Sequence, residues 1–229
     1  MAAKTKSTDH RVRVAQERRE RMRKRLLDAV MTLYGARPHD GPPPVDDVIV
    51  HAEVSRATFY KYFTSVDAAI NELGAELADE MVNSLIQIYS GSEPPFFRMV
   101  AATHLFLLRS VTDKVWAAFV SHTDILASDT AVLRGITGHL EASRKAGLVT
   151  FSDPHAAATL AIGTLLEAMR QIVRAKKRPP RSYVEEVVMM ILRGLGVDRD
   201  PAARIVSDSA VFIRGAAPDR LPWWRDPWA

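Results

Sequence analysis

The 229-residue chain contains no cysteine, which excludes disulfides, thiol switches and cysteine-ligated zinc. No stretch approaches the roughly 18 apolar residues a membrane-spanning helix needs, and no apolar segment follows the basic N-terminal residues. Neither a membrane span nor a signal peptide is predicted, and the expected location is the cytoplasm. Signatures of catalysis are missing too: there is no G-x-S-x-G, no phosphate-binding glycine loop and no dinucleotide fingerprint. His104, His122, His139 and His155 show neither i, i+4 pairing nor an acidic partner at ligand spacing. The sequence therefore predicts no metal, no cofactor and no enzyme. Convincing strands and internal repeats are also lacking.

The composition, 47% hydrophobic and 25% charged, is that of an ordinary globular chain long enough to bury a real core. Its net charge of +4 is unevenly spread. Residues 1–63 hold thirteen Lys and Arg against eight Asp and Glu, whereas the rest holds eighteen against nineteen. Before Leu26 the ratio is ten to three, which reads as a basic arm, either a solvated tail or an extension following a DNA groove. A positive field confined to one end suits a polyanion, because binding phosphates releases their counterions.

That same end carries PVDDVIVHAEVSRATFYKYF, Pro44 to Phe63. Val45, Val48, Ile49 and Ala52 recur at spacings of three and four, so they form one face of a helix over about Val45 to Ala52. Pro44 suits its start, and Asp46 and Asp47 complement the helix dipole. Ser55 is positioned to cap a second helix from Arg56, leaving Glu53, Val54 and Ser55 as the turn. Phe59 and Phe63, four apart, share the inward face. Arg56, Thr58, Tyr60, Lys61 and Tyr62 cover the rest, and a tyrosine can pack its ring while its hydroxyl reaches a phosphate. Met22, Leu26, Ala29, Val30 and Leu33 predict a preceding helix over about Glu17 to Gly35, and the Gly- and Pro-rich Ala36 to Pro43 predicts a loop.

The run VSRATFYKYFTSVDA resembles the recognition segment of the TetR/AcrR family of one-component bacterial transcriptional regulators. By that resemblance Arg56, Thr58, Tyr60, Lys61 and Tyr62 match positions facing the major groove or its phosphates, while Phe59 and Phe63 match buried ones. Arg56 and Thr58 are the candidates for reading bases, and Tyr60, Lys61 and Tyr62 for holding phosphates. Two positions depart from the pattern. Glu53 stands where the family usually has glycine, and a left-handed backbone there costs about 1 to 2 kcal/mol. Val66 stands where a lysine commonly helps to hold a phosphate.

The remaining sequence predicts an all-α architecture. Ser65 is placed to cap a long helix with Ile70, Leu73, Leu77, Met81, Leu85 and Ile88 on one side, a lever between a three-helix reading head and a second helical domain. Further helices are expected near Phe96 to Ser110, Lys114 to Ser121, Thr130 to Ala146, Pro154 to Ala175 and Ser182 to Leu195, with a short one near Pro201 to Ile213. The division expected is a basic flexible arm at 1–16, the helix-turn-helix domain at 17–64, a ligand-binding and dimerisation domain at 65–196 and a tail at 197–229. Trp223, Trp224 and Trp228 in that tail are expected to fold back onto the body or a second subunit.

Met99, Thr103, Phe106, Trp116, Phe119 and Met169 are candidates for a pocket lining, whose composition favours an apolar or aromatic small molecule. The resemblance, rather than the composition, implies such an effector. The Pro154 helix is apolar around most of its circumference and the next has a broad apolar stripe. Ala158, Ile162, Leu165, Val184, Val188 and Ile191 are therefore candidates for a four-helix homodimer interface. The function expected is a ligand-responsive repressor binding a near-palindromic double-stranded operator as a homodimer. Two alternatives are a helical small-molecule binding protein with a vestigial helix-turn-helix, and an architectural DNA-binding protein without effector.

Overall fold

The computed structural model describes residues 3–36, 41–123 and 131–229. Ten helices and no strand occur among them: α1 (Ala3–Ala36), α2 (Val45–His51), α3 (Arg56–Tyr62), α4 (Val66–Ile88), α5 (Pro95–Thr112), α6 (Lys114–His122), α7 (Ala131–Lys145), α8 (Pro154–Arg174), α9 (Arg181–Gly194) and α10 (Arg199–Arg220). The chain divides into two compact units, Met1–Leu73 and Gly74–Ala229.

In the first unit, Leu26, Leu27, Ala29, Val30 and Tyr34 of α1 are buried along with Val48 and Ala52, Phe59 and Phe63, and Val66, Ala69 and Leu73. The three-to-four spacing read from the sequence is thus the inward stripe of each helix. An Arg23–Glu72 ion pair joins α1 to the start of α4. Helix α1 begins far earlier than predicted, so residues 3–16 are not set apart from the rest of α1 by any break in secondary structure. No Gly or Pro interrupts Ala3 to Tyr34, and i, i+4 pairs such as Gln16–Glu20, Arg13–Glu17 and Lys24–Asp28 support the exposed stretch. The predicted loop falls partly on 37–40, outside the described residues.

The second unit is built around α5, buried from Met99 to Val111 apart from Ala102 and Thr103, which packs against α6, α7, α8, α9 and α10. Side-chain caps start several helices, as Asp113 Oδ1 does by accepting from Trp116 N at 2.9 Å and Asp153 Oδ1 from Ala156 N at 2.8 Å. The expected tail is no separate segment. Its helix extends to Arg220 and buries Ala202, Val206, Ala210, Ile213 and Ala217 against the body. The tryptophans follow: Trp223 Nε1 donates to Ser84 Oγ at 3.0 Å, Trp228 Nε1 donates to Pro179 O at 3.0 Å, and Trp224 is buried. The Arg109 guanidinium lies 4.5 Å from the Trp116 ring centre and 4.7 Å from that of Trp223, and pairs with Glu80 at 2.8 Å. A buried cation between two indoles fixes the tail to α4, α5 and α6.

The residues assigned to a dimer interface occupy other places. Ala158, Leu165, Val184, Val188 and Ile191 are buried within one chain, and Ile162 is half-buried. The open side of α8 and α9 instead carries Leu160, Gly163 and Met190, the last 59% exposed. Leu160 and Met190 thus lie outside the buried stripe of helices that carry more apolar residues than one face can bury, and periodicity alone does not say which of them turn inward. The helices approach closely at Gly194, where a Cβ would come within 2.8 Å of Leu160 Cδ1. Helix α8 is also the one described helix long and apolar enough to cross a membrane by length and composition, with a third of that window buried.

His104 on α5 ties this core to α10. Ser209 Oγ donates to Val206 O at 2.9 Å, so at 2.8 Å it accepts from His104 Nδ1, which fixes the neutral tautomer. Burial, then the nearby Arg214 charge, pushes the imidazole down to about 4. The unfolded chain therefore takes up this proton first, and stability falls as pH drops from the ordinary histidine value towards 4. Urea unfolding should show wild type losing about 2 kcal/mol more than His104→Gln between pH 7 and pH 5, since their carboxylates titrate alike. Equal losses would refute the assignment.

Candidate nucleic-acid interface and ligand cavity

The turn between α2 and α3 is tight because only four residues, Ala52 to Ser55, separate the helices, the first and last of them serving as caps. Val54 N donates to Ile49 O at 3.0 Å, and Glu53 adopts φ of 50°, the one positive φ outside glycine among the described residues. The departure noted at Glu53 is thus a strained residue, held partly by its pair with Arg25 at 2.7 Å. Ser55 caps α3 as expected, its Oγ accepting from Thr58 N at 3.1 Å. Ser65 likewise accepts from Ala68 N at 3.0 Å to start α4.

On α3 the Phe59 ring is fully buried and packs at 5.8 Å on Phe63, itself nearly so, and edge-on at 5.5 Å against Tyr60. That burial fixes the rotation of the helix about its axis. Tyr60 is 50% exposed, Arg56 and Lys61 are exposed, and Thr58 and Tyr62 are half-buried. Among the described residues the Tyr60 hydroxyl and the Lys61 ammonium have no internal hydrogen-bond or ion-pair partner. Arg56 differs: it pairs with Asp46 of α2, whose hydrogen bond and charge raise its already high pKa. The sequence reading credited Asp46 only with the helix dipole. It did not find this pair, because residues ten apart on different helices leave no periodic signal. Thr58 Oγ1 lies 2.9 Å from Ser55 Oγ, so its hydroxyl is shared with the cap.

The second unit contains a partly open cavity of about 200 Å³ between α4, α5, α7, α8 and α9. Met99, Thr103 and Phe106 line it, as do Met81, Leu85 and Ile136. Trp116, Phe119 and Met169 do not; each is at most 1% exposed and belongs to the core. Three residues assigned to the dimer interface, Ile162, Leu165 and Ile191, line the cavity instead. Sequence reasoning missed its other polar members, Tyr89 just after α4, Arg98 on α5 and His139 on α7, which share no motif. The Tyr89 hydroxyl donates to Arg98 O at 2.7 Å, and burial raises its pKa. Burial, and then the Arg98 charge, lowers that of His139 and favours a neutral ring. No group of three or more His, Asp or Glu placed to hold a metal occurs among the described residues.

No protein-family model and no curated protein sequence matches this chain. Solved structures do. RolR in complex with resorcinol aligns with a TM-score of 0.62 at 21% identity, over 84% of this chain and 96% of that one. A gamma-butyrolactone receptor, described as ArpA-like, aligns at 0.61 with 14% identity over 86% and 98%. A TetR-family transcriptional regulator from Haemophilus influenzae aligns at 0.56 with 14% identity over 76% and 96%. At these identities the likeness establishes the fold: the chain has the all-α architecture of TetR-type transcriptional regulators.

Glu53 offers a direct check of the turn. Glu53→Gly should stabilise the protein by about 1 kcal/mol in urea unfolding, the relieved left-handed strain exceeding both the exposed pair with Arg25 and the freedom glycine gives the unfolded chain. Destabilisation would mean that Arg25–Glu53, not the backbone, governs the site.

Proposed function

We propose that this protein is a ligand-responsive transcriptional regulator of the TetR/AcrR type, a repressor that binds a near-palindromic operator as a homodimer and leaves it when a small molecule occupies the cavity. The observation that carries the reading is the pairing of buried Phe59 with exposed Tyr60 and Lys61 on a capped two-turn helix, within a fold shared with such regulators. Tyr60, Lys61 and Tyr62 hold phosphates. Thr58 reads base edges, and so does Arg56 once it exchanges Asp46 for a base or phosphate acceptor, an exchange that costs little at an exposed pair. Heads one helical turn apart, about 34 to 36 Å, would enter successive major grooves.

The homodimer forms through the open face of α8 and α9. Leu160 and Met190 are exposed there, and a Cβ at Gly163 would meet nothing, so a second copy can approach closely. A small effector fits the cavity's size and lining, and RolR, whose fold this chain shares, holds resorcinol. Helix α4 begins at Val66, just after α3, and contributes Met81, Val82 and Leu85 to the cavity wall. A ligand that repacks those three residues acts on the helix leading from α3, which couples the two sites rather than making them compete. The protein acts as a soluble cytoplasmic regulator without catalysis.

Tyr60→Phe and Lys61→Ala should each weaken binding to a selected operator and to a scrambled duplex by about 1 to 3 kcal/mol, with dimerisation unchanged. Full affinity of both variants in gel shifts would overturn the phosphate assignment. For the interface, Met190→Arg should turn the dimer into monomers in sedimentation while leaving helical content intact. A dimer of undiminished affinity would place the interface elsewhere.

A further inference from the structure

Two of the polar side chains on the cavity wall, Tyr89 and Thr103, spend their hydroxyl protons within the chain, whereas Arg98 is only partly satisfied. The Tyr89 hydroxyl donates to Arg98 O, and Thr103 Oγ1 donates to Met99 O at 2.9 Å. Arg98 Nη2 donates to Gly91 O at 2.9 Å, and its guanidinium carbon lies 5.3 Å from the centre of the Tyr89 ring. Arg98 Nε, by contrast, is buried with no hydrogen-bond partner. No carboxylate forms an ion pair with Arg98 among the described residues. The nearby Glu93 is committed elsewhere, accepting from Ser90 N at 3.0 Å, Gly91 N at 3.1 Å and Ser90 Oγ at 2.7 Å, which holds its carboxyl down to about 2. The cavity wall therefore contains one guanidinium with neither counter-charge nor a full set of acceptors, among side chains such as Met99, Phe106, Ile162 and Leu165.

A partly desolvated cation without an anion is unfavourable, and a planar fork of donors matches the two oxygens of a carboxylate, an anion that an aromatic ring can carry into an apolar cavity. The volume sets the other limit. An apolar cavity of roughly 150 Å³ accepts benzene, so about 200 Å³ admits a one- or two-ring body. We infer that the effector is a small aromatic carboxylic acid, its ring against Met99, Phe106 and Leu165 and its carboxylate on Arg98. This rests on the regulator reading only for the word effector; the binding itself stands on the cavity.

Calorimetric titration of the full-length protein with benzoate and 1-naphthoate, against their neutral isosteres benzamide and 1-naphthamide, tests it without DNA. At least one acid should bind tenfold or more tightly than its amide. Arg98→Gln should remove that preference and leave amide binding within threefold, while Arg98→Lys, which keeps the charge but not the fork, should retain part of it. Binding of the amides as tightly as the acids, undiminished acid binding by Arg98→Gln, or no detectable binding of either acid would each overturn the inference. The acid-to-amide ratio on unaltered protein stays decisive if Arg98→Gln fails to fold. Release from operator DNA is then measured separately: acids that bind but do not release DNA would count against the regulator reading while leaving the ligand class intact.

Discussion

Burial of Phe59 is the constraint on which the surface of the first unit depends. The ring is wholly enclosed and Phe63 nearly so, and a helix of two turns has no other means of fixing its rotation. With those two rings inward, positions 56, 60 and 61 have to turn outward, and three chemically different groups reach solvent together. The same stripe makes the turn strained: α2 must finish at His51, with Ala52 as its cap, and α3 start at Arg56 for both apolar faces to meet the core. Glu53 is left in a conformation glycine adopts more cheaply. Packing of the core outweighs the roughly 1 to 2 kcal/mol involved.

Most of the fold was legible in the sequence because its helices are amphipathic and well punctuated. Ser55 and Ser65 cap the helices assigned to them, and the elements from α5 to α9 begin and end within two residues of their predicted bounds. The pattern failed where it was ambiguous. The basic N-terminal segment lacks an apolar stripe, so its charge suggested a flexible arm, yet its helix-forming residues and the absence of Gly and Pro extend α1 back to Ala3. The tail helix is long because Ala and Val line its inward face at helical spacing as far as Ala217; the expected helix ended at Ile213, and the observed one continues through Gly215 to Arg220.

The sites were legible to different degrees. Exposure on α3 follows from one short stretch, and the expected division between Phe59 and Tyr60 is what the geometry shows. The cavity was half-legible: Met99, Thr103 and Phe106 share an α5 face with it, whereas Trp116, Phe119 and Met169 have the same apolar character and lie in the solid core. Composition cannot separate a wall with a void behind it from one without. Nor could it show that Ile162, Leu165 and Ile191 turn towards the cavity rather than a partner, or that Arg98 among large apolar residues is left without a carboxylate. These facts arise only when several helices converge.

The central claim is that the basic, phenolic edge of α3 binds a polyanion. Its most direct test is the affinity of the unaltered protein for duplex DNA across a range of salt concentrations. Log K should fall linearly with log salt, by roughly 0.9 per phosphate contact, with a slope of several units for two heads. Affinity that stays flat as salt rises, or no binding even at the lowest salt, would contradict the account.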